Sequence, residues 1–164
     1  MRVFLHWFGL LIGAYVLQSS FLPLLSYHGI TANLMLLSTV SFAFLRGRRL
    51  GVLMGFLSGM LLDLVSGTFF GMNIFSQMVI GYLCGAFSNH VFKEQFFLPI
   101  MASMAATVMN YFILAVIMVL LGYRFNLIVH MQQILLPMIC YNLLFSYPIH
   151  RVVYALYERT KEKK

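Results

Sequence analysis

Six apolar stretches follow one another along this chain, each close to the length that carries a helix across a ~30 Å hydrocarbon core, with charged or turn-forming residues between them. They run from Val3 to Leu25, Ile30 to Leu45, Leu50 to Val65, Phe69 to Phe87, Phe96 to Leu121 and Ile128 to Ile149. The cluster Arg46, Gly47, Arg48, Arg49 ends the second, Ser66, Gly67 and Thr68 follow the third, and Gly122 to Asn126 follow the fifth. Composition points the same way: of 164 residues, 62% are hydrophobic and 9% charged, where soluble domains carry about 25% charged residues. Disorder, a collagen-like repeat and a disulfide-stapled miniprotein are excluded by the same balance and by the 2 cysteines. Barrel strands would alternate apolar and polar residues, and the nearly continuous apolar stretches Leu34 to Leu37 and Met109 to Leu121 do not. The expected fold class is an all-α membrane protein, one domain of six transmembrane helices in one bundle over residues 1–164.

The first stretch could imitate a secretory signal, since Gln18, Ser19 and Ser20 follow its apolar core. It lacks a small-x-small cleavage pattern, and Arg2 alone precedes the core, so a retained helix is expected. The second and third stretches are short, which requires little tilt, a thinned bilayer or shielding by neighbours.

Charge sets the orientation, because Lys and Arg are retained on the cytoplasmic side. Six spans with a cytoplasmic N-terminus put Arg2, Arg46, Arg48, Arg49, Lys93, Arg151, Arg159, Lys161, Lys163 and Lys164 on that side and Arg124 on the other. Removing one span would reverse every later loop and destroy the asymmetry. Both termini are therefore expected to be cytoplasmic. The net charge of +7 then needs no nucleic acid: the basic clusters orient the chain and attract anionic membrane lipids, and the tail from Arg159 can also meet a cytoplasmic partner.

Within the apolar stretches the polar residues are few. Asp63 lies in Met60–Val65, ~20 Å along a helix from Leu50 and in the outer half of the bilayer. Intramembrane acids mark functional sites by default, and a structural polar anchor is the other reading. At a helix C-terminus its carboxylate would face the negative end of the dipole. Gly51, Gly55 and Gly59 precede it at a spacing of four, a small-residue ridge suited to a close helix crossing, either inside the bundle or with a partner. Gly81 with Gly85, and Ala102 with Ala106, repeat the pattern. Gln18, Gln77, Asn110 and Asn142 read as interhelical hydrogen-bond formers. Pro137 and Pro148 can bend the sixth helix.

Chemistry-bearing constellations are absent. The histidines His6, His28, His90, His130 and His150 make no HExxH, Cys84 and Cys140 stand apart, and there is no GxSxG, no P-loop and no second acid beside Asp63. No enzyme activity, cofactor or metal is expected.

The segment Gly55-Phe-Leu-Ser-Gly-Met-Leu-Leu-Asp63-Leu, followed by Ser66, Gly67 and Gly71, resembles the signature of the rod shape-determining protein MreD family. Leu136-Pro-Met-Ile-Cys-Tyr-Asn142, then Pro148, is similar to that family's last helix. One departure is Thr31-Ala32-Asn33, where many members place proline before the asparagine. The resemblance implies a non-catalytic membrane subunit of the cell-elongation machinery that binds MreC. Through MreC it supports MreB, RodA and a class B penicillin-binding transpeptidase in peptidoglycan synthesis. It also implies a fold similar to the substrate-binding subunits of energy-coupling-factor vitamin transporters, which defines the alternative function: a small-molecule pocket near Asp63, Asn73 and Arg124. Under the scaffold reading, the glycine ridge and the bent sixth helix pack or expose a lateral groove for a partner's transmembrane helix.

Overall fold

The computed structural model describes residues 2–26, 29–67, 69–90, 97–123 and 131–161, and its regular elements are all helical. Helix α1 is Arg2–Ser20, followed by a 3-10 turn Leu22–Leu25; α2 is Leu34–Arg46, α3 Arg48–Ser66 and α4 Met72–Ala86, with a 3-10 turn at Phe87–His90. Helix α5 is Phe97–Leu120, and a π-helical turn Met131–Leu135 leads into α6, Leu136–Lys161. The expected starts of the fifth and sixth stretches, Phe96 and Ile128, lie outside the described residues, as do Lys93, Arg124, Lys163 and Lys164.

The helix ends follow from local chemistry. The second stretch begins to wind at Leu34 rather than Ile30, because Asn33 caps it: its side-chain oxygen accepts from the Leu36 N–H at 3.0 Å. One residue joins α2 to α3. The Gly47 N–H closes the last turn of α2 on the Ala43 carbonyl at 2.8 Å, and its own carbonyl opens α3 by accepting from Gly51 at 2.9 Å. This double duty needs φ +84°, a conformation that glycine alone adopts readily. Pro137 is the second residue of α6, directly after the π-helical turn Met131–Leu135. The sixth helix does not end near Ile149 but continues through Pro148 to Lys161.

Helix α2 is the centre of the bundle. Every residue from Leu34 to Ala43 is buried, and α2 touches α1, α3, α4, α5 and α6. Thirteen residues rise only ~20 Å, too little to cross a bilayer while facing lipid, but neighbours cover this helix on every side. Outward, α5 and α6 present Val116, Leu120 and Leu144 at 57%, 80% and 70% exposure. Helices Arg48–Ser66 and Ile100–Leu120 are long and apolar enough to cross a membrane.

Contacts at the two ends of the bundle define its topology. At one end Arg46, closing α2, donates to Thr160 near the end of α6 at 2.9 Å, and its guanidinium lies 5.0 Å from the Tyr157 ring centre and 5.8 Å from that of Trp7 at the start of α1. At the other end Tyr141, early in α6, donates to the Leu25 carbonyl at 2.8 Å, and Phe69 meets Tyr123 edge-on at 6.1 Å. Successive helices thus run alternately between two ends, and the start of α1 and the end of α6 lie at the same one.

Candidate functional site

Asp63 is 3% exposed, in the last turns of α3. The chain reverses after α3 and brings the first turn of α4 directly against it. Oδ1 accepts from the Asn73 backbone N–H at 3.0 Å and from Asn73 Nδ2 at 2.9 Å; Oδ2 accepts from the N–H groups of Gly71 at 2.9 Å and Ile74 at 3.1 Å. The first N–H groups of a helix have no intrahelical partner, and Gly71, the residue preceding α4, has no side chain to supply one. Asp63 caps α4 from the neighbouring helix. The expectation from sequence, a carboxylate against the negative end of its own helix dipole, is corrected: the nearest terminus is the positive N-terminus of α4. Gly67 and Gly71, at φ +62° and +102°, flank the reversal, and both face open space.

The glycine ridge is the second component. A methyl group added at Gly51 would lie 2.5 Å from the Gly81 carbonyl oxygen, at Gly55 2.7 Å from the Gln77 carbonyl carbon, and at Gly59 2.5 Å from the Ile74 Cα. The interface is reciprocal, since one added at Gly85 would lie 2.7 Å from the Arg48 Cα. Backbone meets backbone along the whole of α3 and α4, so this ridge is turned inward and forms no lateral groove.

Hydrogen bonds between side chains tie the remaining helices. Thr39 and Ser58 hydroxyls stand 2.7 Å apart, and both meet Gln77 Oε1, joining α2, α3 and α4. Ser76 donates to Asn110 Oδ1 at 2.6 Å, joining α4 to α5. Asn142 does two jobs from α6: Nδ2 donates to Thr107 Oγ1 at 2.8 Å, and Oδ1 accepts the Asn33 N–H at 2.8 Å. Ser103 and Ser146 add a second α5–α6 bond at 2.8 Å. Replacing Asn142 with leucine is expected to strand the Asn33 N–H and lower stability by ~1–2 kcal/mol; thermal unfolding in detergent measures it, and an unchanged midpoint would exclude this role.

The model of the rod shape-determining protein MreD family matches residues 1–160. The chain belongs to the MreD family. No curated protein and no solved structure matches it. MreD-family membership makes this a rod shape-determining protein, of a membrane-protein family. In this MreD chain the two specific segments quoted above coincide with structural devices: Gly55 to Asp63 form the α3 side of the glycine interface and the cap, and Asn142 is the α6 junction.

The expected likeness to energy-coupling-factor substrate subunits has no support, and neither has the vitamin-pocket alternative. Asp63 and Asn73 are bonded to each other, and Arg124 lies outside the described residues. Among the described residues no three His, Cys, Asp or Glu side chains come together. Sequence reasoning passed over Thr39, Ser58, Ser76, Thr107 and the Arg46 junction. Serine and threonine are common in membrane helices, where they also bond to their own backbone, so nothing in their spacing marks the pairs they form.

Proposed function

We propose that this protein is a non-catalytic, multi-pass subunit of the cytoplasmic membrane, a single six-span domain over residues 1–164 with both termini cytoplasmic. It binds MreC and, through it, supports MreB, RodA and a class B penicillin-binding transpeptidase in peptidoglycan synthesis and rod shape. The observation that carries the reading is the family match over residues 1–160. The geometry agrees: the intramembrane acid and the central amides are occupied in joining helices, and the outer faces of α5 and α6 are apolar. Such a molecule serves by holding shape. With the ridge filled by α4, partners meet its outer faces.

Affinity purification from native membranes of a rod-shaped host tests this, with MreC expected among the recovered proteins. Recovery of the intact protein without MreC would defeat the reading. Orientation has its own check: a phosphatase fused after Lys164 is expected to be inactive and a fluorescent protein fused there bright, and the reverse would invert the topology.

A further inference from the structure

A cavity of about 560 Å³ lies between α1 and α6, floored by Leu34 and Ser38 of α2. It is a groove open along one side rather than a sealed void, for Leu17 and Val152 on its rim are 47% and 57% exposed. Its walls are regular. From α1 its lining includes His6, Gly13 and Leu17, and from α6 Ile149, Ala155 and Arg159; residues three and four apart share a helix face, so each wall is one side of its helix. Gly13 contributes depth, since a methyl group there would touch nothing within 4 Å. Apart from Ser38, the polar lining is confined to His6 and Arg159, at the end where Arg46 and Thr160 meet.

Length decides what fits. Eleven steps along α1 from His6 to Leu17 rise ~16 Å, about half of the ~30 Å hydrocarbon core. A partner's transmembrane helix needs the full thickness, whereas an acyl chain of one leaflet needs half. Exposed apolar side chains elsewhere on the bundle call for no special occupant, because lipid covers them. This slot differs in being recessed between two helices, about as long as one leaflet is thick, with the Arg159 guanidinium at one end. We infer that it is a binding site for one anionic phospholipid of the cytoplasmic leaflet, with an acyl chain between α1 and α6 and the phosphate against Arg159. The inference needs the membrane placement with this end cytoplasmic and is independent of MreC.

Native mass spectrometry tests it on protein reconstituted in vesicles of equal phosphatidylglycerol and phosphatidylethanolamine, then released into mild detergent. One phosphatidylglycerol per chain is the expected adduct. Arg159→Gln is expected to reduce its preference over phosphatidylethanolamine about fivefold, the effect of one basic residue at a membrane surface. Gly13→Leu is expected to abolish the adduct for both lipids, with an unfolding midpoint like that of the parent. If that variant unfolds, Ala155→Leu on the opposite wall is decisive in its place, with loss of the adduct expected. An adduct without headgroup preference, one unchanged by filling the slot, or a cross-link from Val152 to a partner's helix would each overturn the inference.

Discussion

Gly55→Leu is expected to abolish the folded state rather than weaken one contact. Even the first added carbon would stand 2.7 Å from the Gln77 carbonyl carbon and 3.0 Å from the Met78 nitrogen. These are backbone atoms of α4, which cannot rotate aside as a side chain can. Overpacking in a relaxed core costs about 1–3 kcal/mol; here the two helices must separate, and Gly51 and Gly59 lose their contacts together. Gly55→Ala is expected to lower the unfolding midpoint clearly, and Gly59→Ala likewise, since its added methyl would lie 2.6 Å from the Asn73 carbonyl oxygen. Gly9→Ala, with open space around it, is the matched control and is expected to behave as the parent. Equal midpoints for Gly9→Ala and Gly55→Ala would remove the close helix pair from the account. Loss of MreC from a Gly55→Leu sample would then report unfolding rather than a damaged interface, so the pull-down must be accompanied by a folding assay.

Asp63→Ala is the second large effect. It leaves the partly buried N–H groups of Gly71, Asn73 and Ile74 without an acceptor, each costing toward the lower part of the about 1–3 kcal/mol of a buried stranded donor, with a further ~0.3–1 kcal/mol lost from the carboxylate at the helix N-terminus. These terms are not additive, and a total of ~3–5 kcal/mol is expected. Asp63→Asn separates shape from chemistry. Each oxygen accepts from two donors, so the amide nitrogen, itself a donor, opposes two others whichever way the group is turned. Asparagine is therefore expected to rescue little, reducing the level in membranes and the unfolding midpoint nearly as far as alanine does. An asparagine variant as stable as the parent would show that volume, not acceptance, is what position 63 requires.

How much of this was legible beforehand depends on the range of the signal. Hydropathy and charge are local, and they located helices whose ends alternate between two sides, together with Gly55, Asp63 and Asn142 as positions of consequence. Asn33 as the start of α2 could have been seen in the same way, since asparagine before an apolar run is a capping signal. What Asp63 faces was not local. Its dipole environment was misjudged because the chain reversal after α3 places a different helix's first turn against it, and no periodicity within α3 carries that information. The ridge posed the same problem: a spacing of four fixes that a helix will approach closely, and only the Gly81 and Gly85 counterpart on α4 fixes which one. The centrality of α2 was hidden behind its length, which read as a constraint on the bilayer until its neighbours were seen to surround it.

The Arg46 junction has a mechanical meaning. A single guanidinium touches Trp7 and Tyr157, residues from opposite extremes of the polypeptide, while donating to Thr160. Displacing the last turns of α6 is thereby felt by the first turns of α1, and the two helices are yoked at this end while a groove separates them further along. Shortening the polypeptide ahead of Tyr157 would undo the yoke and free α1 to swing.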